Sequence, residues 1–126
     1  MSAPSALIDL LDRSLAEYGQ DVVLQRLVTD AAGVQTIAYE ANPCRATVRA
    51  HAPQALDAMI ESASSSSVVM SPTDLVRAGW PERDDGLPVP VKDDRLLIAG
   101  RPNNVETVSP IQVDGILVRI DLTCRE

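Results

Sequence analysis

Two pairs of adjacent carboxylates, Asp84-Asp85 and Asp93-Asp94, are the residues of this 126-residue sequence best suited to chemistry. Carboxylate oxygens hold calcium or magnesium when one loop folds several of them around an ion. Neither pair follows the D-x-D-x-D-G spacing that does so. Adjacent residues in extended chain point to opposite sides, so each pair offers one carboxylate to a single centre. The second pair lies in VPVKDDRLLIAG (89–100), where Lys92 offsets part of the charge and Leu96-Leu97-Ile98 reads as an apolar strand. The acids are therefore expected to mark a solvated strand entrance.

His51 is the sole histidine. A general base or a ligand needs partners, and His51 falls on the polar phase of CRATVRAHA (44–52), which favours an exposed or capping role. Cys44 and Cys124 lie far apart without C-x-x-C spacing, and with His51 they match no zinc pattern. Reduced, buried thiols are expected. No G-x-S-x-G, G-K-[ST] or G-x-G-x-x-G stretch is present. We expect no catalytic residue, no metal and no cofactor; an enzyme would require His51 to sit beside a carboxylate in a cleft. Trp80, between Gly79 and Pro81, leaves two readings open: an interface anchor formed with Pro81, or a plug at the end of a barrel.

The elements that must position these residues follow from periodicity. Residues 4–18 place Leu7, Ile8, Leu11, Leu15 and Tyr18 on one helical face, with Ser5 as N-cap and Gly19 as stop. DVVLQRLVT (21–29) and VQTIAYE (34–40) flank the turn DAAG as a hairpin, and CRATVRAHA (44–52) alternates as a third strand. An insertion follows over 53–80. Within it, PQALDAMIES (53–62) is helical with Leu56, Met59 and Ile60 on one face. SASSSS (62–67) reads as a flexible linker, VVM (68–70) as a short strand, and SPTDLVRAG (71–79) as a helical turn capped by Ser71. WPERDDGLPVPVKDD (80–94) is an acidic, Pro-rich loop. Strands resume over 95–124, ending with Ile116, Val118, Ile120, Leu122 and Cys124 on one face. The pattern predicts a single, mainly β domain: a small antiparallel β-barrel or sandwich with an N-terminal helix and a helix-containing inserted loop.

Bulk composition narrows the function. The chain is 45% hydrophobic yet has no Phe, one Trp and two Tyr, so Val, Leu, Ile and Ala must fill the core. A formal net charge of −7 opposes sequence-independent nucleic-acid binding, which needs clustered Lys and Arg. MSAPSALIDLLDRSL lacks a basic n-region and is broken by Asp9 and Asp12, so neither a secretory leader nor a membrane span is expected.

Several stretches carry a family resemblance: EYGQDVVLQRL after the first helix, CRATVRAH before the insertion, VVMSPTDLVRAG, and the tail PVPVKDDRLLIAGRPNNVETVSPIQVDGILVRIDLTCR. In the tail, Pro90, Asp94, Leu96, Ile98 and Gly100 lead to Val105, Val108 and Pro110, then to Gly115–Cys124. Together these resemble the head–tail joining proteins, also called stoppers or head-closure proteins, of long-tailed phages, prophages and phage-like gene transfer particles. The resemblance implies a β-barrel-like domain assembled as a dodecameric ring in the virion neck, after synthesis in the host cytoplasm. A portal-bound adaptor would lie above and the tail terminator or tail tube below. DNA would pass through without sequence-specific binding, and no membrane would be involved. It also implies that an inserted segment narrows the channel, here Pro53, Leu56, Met59, Ile60, Ser64, Ser65, Ser66 and Met70. The competing reading is a cytoplasmic β-barrel module that captures a ligand or peptide with the loop around Trp80.

Overall fold

The computed structural model describes residues 2–50 and 65–126. The elements run α1 (Ala3–Tyr18), β1 (Gln20–Thr29), β2 (Gln35–Ala50), β3 (Ser65–Met70), α2 (Pro72–Ala78), β4 (Arg95–Ile98), β5 (Arg101–Val113) and β6 (Ile116–Arg125). The six strands close into an antiparallel barrel in the order β1-β2-β3-β6-β5-β4. Closure gives every strand a partner on both sides over part of its length, which suits a small chain rich in β-branched residues. The expected mainly β architecture is thus what the chain adopts.

The barrel interior is aliphatic. Val22 and Leu24 of β1, Cys44 and Ala46 of β2, Val68 and Met70 of β3, Leu96 of β4, Val105 of β5, and Ile120, Leu122 and Cys124 of β6 are all buried. Alternation puts each of these sets on one face of its strand. The hairpin and the third strand expected over 21–52 are instead two long strands, because β2 runs unbroken from Gln35 to Ala50. Its pairing with β1 shifts register between Val22 and Leu24 and again between Arg26 and Leu27. Asn42 and Pro43 fall in the first shift, where a proline removes no ladder hydrogen bond.

Three expectations need correction. The serines read as a linker are, at Ser65–Ser67, part of β3: Ser66 and Ser67 pair with Ala50 and Arg49 on one side, and all three pair with Arg125–Thr123 on the other. Backbone pairing on both sides overrides the weak strand propensity of serine. The insertion expected over 53–80 therefore includes an integral barrel strand. In α1 the N-cap is Ser2, whose Oγ accepts from the Ser5 amide at 3.3 Å, and only Pro4 and Leu15 are buried. The barrel core is already closed, so the helix lies across its outside and leaves Leu7, Leu10 and Tyr18 exposed. Finally, Ile116 is exposed and Leu117 buried, because the β5–β6 register shifts between Ile111 and Gln112 and turns the start of β6 over.

The helices are pinned by polar contacts. Arg45 donates from Nε to the Leu15 carbonyl at 3.2 Å, and from one terminal nitrogen to the Ala16 and Gly19 carbonyls at 3.0 and 2.8 Å. A cation there satisfies the orphan carbonyls at the helix C-terminus. Gly19 is needed for close approach, since an added Cβ would lie 2.5 Å from the Leu15 carbonyl oxygen. Asp74 of α2 accepts from the Arg45 amide at 2.9 Å, and Thr73 donates to Asp12 at 2.8 Å, tying α2 to β2 and to α1.

Cys44 and Cys124 are free and buried. Burial pushes the Cys44 thiol from 9.0 up to about 12 and the Cys124 thiol from 9.0 up to about 11. Both thiols stay neutral in the folded chain while those of the unfolded chain ionise near 9.0, so the unfolded state loses protons first. Stability should fall as pH rises from about 9 towards about 11. Urea titrations at stepped pH should show that decline, with a shallower slope in the Cys44→Ala/Cys124→Ala variant; identical slopes would contradict it.

Candidate functional site

One end of the barrel is sealed by a polar and aromatic cluster. Arg26 follows Val22 and Leu24 on the inward phase of β1. Its Nε and one terminal nitrogen donate to the two carboxylate oxygens of Asp94, each at 2.8 Å. The Asp94 side chain is 4% exposed and that of Arg26 24%. Asp94 also accepts from the Val91 amide at 2.8 Å, and its backbone pairs with Val105, so the end of the acidic loop is stitched to β5. The Arg26 guanidinium lies over the Trp80 ring, 5.1 Å from its centroid, and Tyr39 meets that ring edge-on at 6.3 Å. The bidentate bond to Asp94 is the main reason the Arg26 pKa is raised above its ordinary value.

The cluster settles the role of several residues singled out in the sequence. Asp94 is a buried partner for Arg26 and is not balanced by Lys92. Asp85 pairs with Arg83 in the tight turn 83–87 and accepts from the Leu87 amide. The hydrogen bond from Arg83 lowers the Asp85 pKa. Among the described residues no cluster of His, Cys, Asp and Glu could hold a metal ion. Trp80 is 4% exposed and packs in the core with Val89 and Leu96. It fills the barrel end, and Pro81 beside it is half-buried. Its Nε1 has no hydrogen-bond partner among the described residues.

The residues expected to narrow a channel separate into two groups. Ser65, Ser66 and Met70 belong to β3, and Met70 is 1% exposed in the core. Pro53, Leu56, Met59, Ile60 and Ser64 lie outside the described residues, as does His51.

Two apolar surfaces that the sequence reading missed stand out instead. The first is the tip of the β1–β2 hairpin. Beyond Gln25, which pairs with Arg95, β1 pairs only with β2, and residues 31–40 are all exposed. Val28, Val34, Ile37 and Tyr39 are between 45% and 54% exposed there. Asp30 fixes the turn by accepting from the Ala32 and Val34 amides, each at 2.9 Å. The second surface is a groove of about 520 Å³ formed by Ile8 of α1, Pro72 and Val76 of α2, Pro88, Ile116 and Leu117, with Thr73 and Arg77 completing the wall. No helix among the described residues is long and apolar enough to cross a membrane.

No family model and no curated protein matches the chain. Among solved structures, a chain in the virion of a native gene transfer agent particle aligns over 85% of this chain and 92% of that one, at a TM-score of 0.51 and 16% identity. The two chains share a fold. At that identity the likeness concerns the barrel and not its surface chemistry.

If the Arg26–Asp94 contact holds the barrel end closed, breaking it strands a buried charge. Arg26→Ala and Asp94→Ala should each cost about 3–5 kcal/mol in urea unfolding. Arg26→Lys should recover only part of the loss, because an ammonium can neither make the fork nor stack on Trp80. A cost below about 1 kcal/mol, typical of an exposed pair, would refute the role.

Proposed function

We propose that this chain is a structural protein of a phage or phage-like particle that joins the DNA-filled head to the tail. It acts as a stopper ring below the portal-bound adaptor, closes the channel against DNA leakage and offers the docking surface for the tail. The observation that carries this reading is the fold shared with a chain of a gene transfer agent virion over most of both chains. The tail motif from Pro90 to Cys124 supports it. The residues of that motif occupy structural positions: Asp94 seals the barrel end, and Leu96, Val105 and Cys124 fill the core.

The physical features of the chain suit such a task. A connector needs no catalytic constellation, but it needs surfaces for several neighbours. The hairpin tip, the groove and the exposed apolar residues of α1 supply these. The net charge of −7 lets DNA slide past where a basic lining would hold it. Asp94 takes no part in that repulsion because its charge is spent inside the barrel. Among the paired acids, the repulsive charge rests on Asp84 and Asp93, since Asp85 is engaged by Arg83.

Deleting the gene and imaging the particles by negative-stain microscopy tests the proposal. Full heads without tails, together with leaked DNA, are the expected result. Normally tailed, DNA-retaining particles would overturn it.

A further inference from the structure

The hairpin tip and the groove are complementary, and the fold keeps them apart. In the barrel order β1-β2-β3-β6-β5-β4, the β1–β2 and β5–β6 hairpins are separated by one strand on either side, β3 or β4. They are therefore on opposite sides of the barrel, and the groove adjoins the second of them through Ile116 and Leu117. The tip projects past the end of β4 by the four residues Arg26–Thr29, roughly 13 Å at strand rise. That reach carries Val28, Val34 and Ile37 past the end of β4, while Tyr39 stays against Trp80. From Val28 to Tyr39 the only charged residue is Asp30. Among the described residues that line the groove, the one charged residue is Arg77. The tip thus carries Asp30, and the groove wall carries Arg77, whose one terminal nitrogen is paired with Asp74 and whose side chain remains exposed.

We infer that the β1–β2 tip of one copy seats in the α1–α2–Ile116 groove of the next, with Asp30 facing Arg77. Both groups have capacity for this. Asp30 uses one carboxylate oxygen, Oδ1, for the turn amides. Arg77 is paired with Asp74 through one terminal nitrogen, and its side chain is 64% exposed. Two different patches on opposite sides make a heterologous contact, which repeats from copy to copy until a ring closes or a filament grows. The inference rests on the ring assembly proposed above and names the surfaces that build it.

Cysteine cross-linking tests the contact directly, and the native thiols do not interfere because both are buried and neutral. Val34 and Val76 are 54% and 65% exposed, so replacing either should leave the fold intact. Val34→Cys, Val76→Cys and the double variant are oxidised both as concentrated protein and within purified particles. The single variants should stay monomeric, their mixture should give a disulfide-linked dimer, and the double variant should give a ladder of multimers. Three results would overturn the contact: no ladder in either setting, self-linking of Val34→Cys alone, or a double variant that closes only on itself. A ladder from the concentrated chain together with particles that lack the protein would support the contact while removing the head–tail reading.

Discussion

The Arg26–Asp94 contact under Trp80 is the constraint on which the rest of the molecule depends. A six-stranded barrel of aliphatic side chains has two ends, and each must be closed by something that does not admit water. At this end an inward-facing position of β1 is occupied by arginine, a residue that cannot be buried without a partner. Asp94 provides the partner, and Trp80 covers the guanidinium face. The same carboxylate holds the Val91 amide, so one side chain neutralises the cation, ends the acidic loop and starts β4. The paired charges do not by themselves add much net stability, because desolvation offsets their attraction. What they add is position: loop 79–94 can lie in one place only, with Val89 and Pro90 inside.

Once that end is sealed, the remaining apolar surface has nowhere to go within one chain. β1 and β2 run on past the barrel as an exposed ribbon, and α1 lies over the outside with Leu7 and Leu10 uncovered. These exposed residues are the surfaces on which the proposed contacts with other molecules rest. The groove beside Ile116 is part of the same pattern. It arises because the bulge in the β5–β6 pairing turns Ile116 outward beside α2. Packing, register and surface are thus linked.

Much of the fold was legible in the sequence. The alternation of Cys44, Ala46 and Val48, and of Ile120, Leu122 and Cys124, predicted strands that the barrel contains, and Ser71-Pro72 marked the start of α2 correctly. What was not legible depended on partners distant in the chain. Ser65–Ser67 look like a linker until β2 and β6 are placed on either side of them. Arg45 looks like a solvated strand residue until α1 ends above it. Asp94 looks like a partner for Lys92, its neighbour, until β1 brings Arg26 against it across 68 positions. The candidate site was the least legible part. An exposed apolar hairpin tip and a core hairpin share the same alternation, and only the length by which β1 outruns β4 distinguishes them.

The central claim is that this chain is a ring-forming component of the neck of a particle. A cryo-electron microscopy reconstruction of that neck from purified particles tests it most directly. The account predicts a ring of six-stranded barrels between head and tail, each with its β1–β2 tip against the helices of its neighbour. A neck fully explained by other proteins, with this barrel absent from the particle, would contradict it.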